Sequence, residues 1–321
     1  MSFPGRQRSS TGRMRDPWAA FRGWRARFLL LSAIWGSSFL FIKVLDDERW
    51  PAPWVALGRI ALGALALVIL VRRRRESLRF ESRLWVHLAV AGTCFIAAPF
   101  TLIAYGETKI SSILAGLWNG TTPLWVLFAV MIVFSEERPD RRRVLGLVVG
   151  FAGVLLVLGP WRALGQAQLL GQLACAAAAF CYGVGFPYTR RYLASRPESG
   201  VALAAGQLIC ATLILALFAP FVRAPAAHLG LDGLGSLLAL GVLGSGVAYV
   251  LNYAVVRAAG ATTASTVTYV IPVVSTVLGV VVLAEPLRWN QPVGAVVLFA
   301  GIAISQGRLR RLATRRPDGR L

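Results

Sequence analysis

The residue with the most chemistry to account for is Arg59, which stands eight residues into an apolar run opening near Ala52. At 1.5 Å per helical residue that is ~12 Å into a hydrocarbon core ~30 Å thick, close to its midplane. A guanidinium there costs at least ~2.5 kcal/mol on insertion scales, so it needs a partner or a wet cavity. It could grip a carboxylate through two parallel hydrogen bonds. It could equally serve structure, by pairing with backbone carbonyls or packing helices.

Other polar or helix-breaking residues inside apolar runs are candidates for the same reason. Trp118 and Asn119 precede Pro123 by about one turn, where proline's missing amide predicts a kink that releases the Asn119 carbonyl. Before Pro272 the corresponding place holds Thr268, Tyr269 and Val270, again with a hydroxyl and an aromatic ring. Trp35 and Ser38 are three apart and share a helix face. Tyr182 and Tyr249 supply further polar tips within spans, whereas Tyr105 reads as an interfacial anchor. Candidate substrate contacts are therefore Trp35, Ser38, Arg59, Trp118, Asn119, Tyr182, Tyr249 and Tyr269, with Pro123 and Pro272 as kinks. Gly241, Gly244 and Gly246 read as a close-packing face.

No Asp, Glu or His falls deep in a run, so a buried proton relay has no obvious carrier. Lys43, Glu107 and Glu285, all near predicted helix ends, remain as coupling candidates. Lys43 lies one turn from Asp46, Asp47 and Glu48 and can extend outward. The four cysteines sit in apolar runs without a C-x-x-C pair, which implies neither disulfide nor metal. Intramembrane hydrolysis would require an activated serine, an acid pair or a metal, and no Walker A loop is present. An enzyme and a bound cofactor are not expected. Rings of charge or carbonyl filters that would suit a channel are not visible, and a lipid flippase would favour more than one deep base.

The elements that must position these residues follow from composition. Of 321 residues 56% are hydrophobic and 15% charged, with mean hydropathy +0.64. The apolar residues come in runs long enough to cross a bilayer, without the alternation of a barrel. Ten membrane-spanning helices are predicted, over about 28–45, 52–71, 84–104, 112–134, 144–160, 169–189, 201–222, 235–256, 261–284 and 290–307. The first is read as retained, not as a cleaved signal. Alternate loops and both tails (1–27 and 308–321) hold 27 of the 34 Lys and Arg, which places the termini in the cytoplasm by the positive-inside rule. The net charge of +20 is thus topological, and nucleic acid is not an expected partner. The lipid bilayer and a small-molecule substrate are, and a homodimer stays open.

The chain also repeats itself. Tyr105 and Tyr253, Glu137 and Glu285, and Gly153 and Gly301 are each 148 residues apart, and Pro123 and Pro272 are separated by 149. Five predicted helices per copy, 28–160 and 169–307, is an odd number, so the second copy enters the membrane from the opposite side. Two halves related in that way can exchange states and open a central site to either face in turn.

Ala33-Ile34-Trp35-Gly36-Ser37-Ser38-Phe39 with Lys43, and Cys181-Tyr182-Gly183-Val184-Gly185-Phe186 with Arg190, repeat an aromatic-Gly-x-x-Phe pattern at a spacing of 147. With the Pro, Glu and Gly landmarks in order, the chain over about 28–307 resembles the EamA family of the drug/metabolite transporter superfamily. The resemblance implies a ten-helix inner-membrane carrier, an exporter of amino acids, other metabolites or drugs. Tyr182 in place of a tryptophan, and Pro187 interrupting the sixth helix, are departures from the pattern.

Overall fold

The computed structural model describes residues 23–132, 141–159, 165–218, 221–222, 230–259, 264 and 266–305. Every regular element among them is helical: α1 (Trp24–Asp47), α2 (Ala52–Arg73), α3 (Ser82–Glu107), α4 (Ser112–Asn119) and α5 (Thr122–Ile132). They are followed by α6 (Arg141–Leu158), α7 (Gln166–Tyr192), α8 (Gly200–Phe218), α9 (Leu231–Ala259), α10 (Val267–Val281) and α11 (Asn290–Ser305). Six of them (α1, α2, α3, α7, α8 and α9) are long and apolar enough to cross a membrane, and Val144–Val157, Val267–Val281 and Asn290–Ile304 are shorter apolar helices. Glu137, and nearly all of the two basic tails, lie outside the described residues; α1 begins at Trp24, a turn before the predicted start.

Two local expectations are corrected. The predicted span 112–134 is not a kinked helix but two helices: α4 ends at Asn119, and α5 starts at Thr122 with Pro123 in its first turn. A proline there loses no helical hydrogen bond, because first-turn amides have no intrahelical acceptor. Gly120 and Thr121 make the break, and the Thr121 hydroxyl donates to the Trp118 carbonyl at 2.7 Å. Pro187, by contrast, does not interrupt α7, which runs on to Tyr192. One missing amide bends a helix that its neighbours hold but need not end it. Pro272 likewise lies within α10.

A further irregularity, on which the sequence carried no expectation, is within α3 and α9. Each widens into π geometry in mid-helix, over Thr93–Ala97 and Ala239–Val247. Moved on by 148 residues the first stretch becomes 241–245, inside the second, so the widening is a property of the repeat. A π turn carries an extra residue and tilts carbonyls out of the regular ladder, a feature found often at functional sites. Both sets of freed carbonyls find partners across the bundle, as described below.

The packing also repeats. A Cβ on Gly153 of α6 would fall 2.3 Å from the Leu298 amide nitrogen of α11, and one on Gly301 of α11 would fall 2.3 Å from that of Gly150 of α6. Residues 150 and 298 are again 148 apart, so α6 and α11 pack antiparallel through two contacts that exchange under the repeat. Gly36 of α1 lies against Val274 of α10, and its counterpart Gly183 of α7 against Trp125 of α5. Such close approach through small residues is how helices adhere in lipid, where apolar burial alone gives no drive. Two large buried clusters result, and Trp35 and Tyr182, which occupy corresponding places in the two copies, pack against both.

Candidate functional site

Where the two clusters meet, a cavity is lined by Trp35, Ser38, Arg59, Asn119, Tyr182 and Tyr249. Six of the eight contacts expected from the sequence therefore converge from α1, α2, α4, α7 and α9. Trp118 and Tyr269 are not among the lining residues. Trp118 instead donates its indole N–H to the Gln172 side chain of α7 at 3.3 Å, and Tyr269 packs edge-on against Phe299 of α11. Thr268, one position before Tyr269, does line the cavity, and it corresponds to Asn119 at the proline spacing of 149. Two repeat-related pairs, Trp35 with Tyr182 and Asn119 with Thr268, thus face the same space.

Arg59 is 3% exposed. Its guanidinium lies 3.9 Å over the Phe100 ring of α3, and its Nε donates to the Ser245 hydroxyl at 3.3 Å in the π segment of α9. Among the described residues no carboxylate is within ion-pair distance of it. The aromatic face and one hydroxyl hold the group in place but leave most of its fork of donors for something else. Ser245 in turn donates to the Leu240 carbonyl at 3.1 Å, which fixes its oxygen as acceptor for Arg59.

The walls are held by the π segments. Trp35 donates from its indole to the Gly244 carbonyl of α9 at 3.2 Å, and the Tyr249 hydroxyl donates to the Phe95 carbonyl of α3 at 2.8 Å. Phe95 meets Tyr182, Phe186 and Tyr249 edge to face, at centroid distances of 5.4, 4.5 and 5.8 Å. The result is an aromatic box with one cation on its wall. Its open volume is about 40 Å³, room for roughly three waters and not for a metabolite. A larger apolar groove, about 400 Å³, lies between α2, α3 and α8. The hydroxyls of Thr93 and Thr101 there donate back to their own helix.

The three coupling candidates lie elsewhere. Lys43 pairs with Asp46 at 2.8 Å and Asp47 at 3.3 Å at the end of α1. Glu285 caps α4: the Ser112 amide and hydroxyl and the Ile113 amide donate to it at 2.9, 3.0 and 3.1 Å. A carboxylate at a helix N-terminus satisfies amides that have no other acceptor and complements the helix dipole. Glu285→Ala is expected to lower stability by about 1–2 kcal/mol, read as an earlier thermal unfolding transition in detergent. Glu107, near a helix end as expected, is 1% exposed.

Sequence reasoning missed the aromatic wall, Phe95, Phe100 and Phe186, and also Thr268 as the member of its triplet that faces the cavity. Thr268→Val is expected to weaken substrate binding by about 1 kcal/mol, roughly fivefold in the half-saturating concentration, while Tyr269→Phe leaves it within a factor of about two. The repeat spacing carried the signal for Thr268. It also pairs Arg59 with Gln207, a fully buried α8 residue that accepts the Tyr253 hydroxyl at 2.8 Å.

Comparison with known proteins follows the same lines. A protein of Archaeoglobus fulgidus described as an uncharacterized transporter is 25% identical over 276 residues, covering 86% of this chain and 95% of that one. The Bacillus subtilis uncharacterized transporter YoaV is 24% identical over 275 residues (85% and 92%), and protein PecM of Dickeya dadantii 23% over 274 (85% and 89%). A crystal structure with TM-score 0.63 at 22% identity covers 90% of this chain and 99% of that one, and so shares the fold. The EamA-like transporter family matches twice, at residues 25–159 and 169–306, and the chain, a multi-pass helical membrane protein, belongs to that family.

Proposed function

We propose that the chain is a secondary transporter that exports small organic metabolites such as amino acids. It works by alternating access between two inverted five-helix repeats, 28–160 and 169–307. Counting α4 with α5 as one crossing gives ten crossings, and the basic loops put both termini in the cytoplasm of an inner-membrane protein. The observation that carries this reading is Arg59, buried beside a cavity that both halves line, with no carboxylate within ion-pair distance among the described residues. A substrate carboxylate supplies the missing charge, and Trp35, Tyr182 and Tyr249 enclose the apolar remainder. Because Trp35 and Tyr182, and Asn119 and Thr268, are exchanged by the repeat, the same walls serve whichever side is open.

Counterflow into liposomes tests this, with pooled labelled amino acids set against cationic dyes, with and without a pH gradient. Uptake of an amino acid without a gradient is expected. Movement of dyes only, and only with a gradient, would replace this reading by a proton-coupled multidrug exporter.

A further inference from the structure

Glu107 is a buried titratable group outside the cavity lining. It is the last residue of α3, one turn beyond the cavity-lining Ile103, and 1% exposed. Among the described residues neither carboxylate oxygen has a hydrogen-bond partner. The titratable and charged groups that face it are Lys43 and Asp46 on α1, Arg59 on α2, the Cys175 thiol on α7 and Glu285 after α10. Lys43 is committed to Asp46 and Asp47, and Glu285 to the end of α4. Glu107 also stands at the C-terminal, negative end of its helix, where a bare anion is disfavoured. A buried carboxylate without donors needs a counter-cation. A proton fits, because it requires no further ligand, whereas a metal ion would call for several oxygens. Its immediate surroundings hold the Cys175 sulfur and Gly171, which pack against Gly106.

We infer that Glu107, buried one helical turn beyond the Arg59 cavity, is a proton-binding site of the transport cycle, and that Glu285 is not. This rests on the transporter reading and on Arg59 as the carboxylate site. The sign of the linkage follows from charge. Arg59 opposes a proton on Glu107, and a carboxylate lying on Arg59 cancels that opposition. Proton and substrate anion therefore assist each other's binding, and by reciprocity substrate binds more tightly as pH falls. The proton travels with the substrate, and export runs on the substrate's own gradient.

Two measurements test the site. In difference infrared spectra of the reconstituted protein between acid and alkaline pH, the protonated-carboxyl absorption of the wild type is expected to contain a component that Glu107→Gln lacks, beside the bands that the other acids give in both proteins. In counterflow of pooled labelled amino acids, the wild-type rate should rise toward acid by up to about tenfold per pH unit, the limit for one titrating group. Glu107→Gln should be insensitive to pH, and Glu285→Gln should keep the wild-type profile despite its lower stability. A carboxyl absorption identical in wild type and Glu107→Gln, or a pH profile that survives in the variant, overturns the inference, as does a rate that follows sodium and not pH. If no amino acid is moved by the wild type, the substrate reading fails, and the infrared band alone still decides Glu107.

Discussion

Replacing Arg59 by Gln is expected to lower transport on the order of a hundredfold while leaving a folded protein. Removing one partner of a buried charge pair costs about 2–5 kcal/mol, and the middle of that range is already more than a hundredfold in affinity. Among the described residues an aromatic face and one hydroxyl hold the guanidinium, so little structural stabilisation is lost with it. Losing the desolvated charge offsets part even of that. Arg59→Lys is not expected to restore function, since an ammonium cannot make the two parallel bonds of the planar fork. The measurement is counterflow of the transported amino acid, beside a thermal unfolding transition in detergent within a few degrees of wild type. Wild-type transport by Arg59→Gln would remove the clamp from the mechanism.

The second large effect is expected at the α6–α11 contact. Gly153→Leu and Gly301→Leu should each prevent recovery of a stable monodisperse protein. A real Cβ cannot sit 2.3 Å from a backbone nitrogen, so the helices must separate. Ordinary overpacking costs about 1–3 kcal/mol where side chains can adjust, but here the obstacle is backbone and the cost exceeds that range. The two substitutions exchange under the 148-residue repeat, so they should be equally damaging, as read by thermal unfolding in detergent and by gel filtration. If one proved harmless and the other severe, the symmetry of the contact would be wrong.

How much of this was legible depended on the kind of residue. Arg59 and Asn119 could be found because a polar group in an apolar run must be explained, and both line the cavity. The repeat was legible from a few landmarks, and the close contacts of Gly153 with α11 and Gly301 with α6 follow its spacing. Phe95 and Phe100 were not legible, since in a bilayer an apolar residue facing lipid and one facing a cavity look the same. The break at Gly120 could have been read, because a proline two residues after a Gly-Thr pair suits the first turn of a new helix better than the middle of an old one. The burial of Glu107 could not. Where a helix ends is written locally, but whether water or protein covers that end depends on α1, α7 and the chain after α10.

Alternating access requires that one cavity, holding Arg59, open to each side of the membrane in turn. Ser38 lines it and is 6% exposed. The direct test is a Ser38→Cys protein whose native cysteines are replaced by alanine, treated with a membrane-impermeant thiol reagent from either face of oriented vesicles. Labelling from both faces, slowed from both by the transported amino acid, is the expected result. Labelling from one face only, or labelling indifferent to the substrate, would contradict the account.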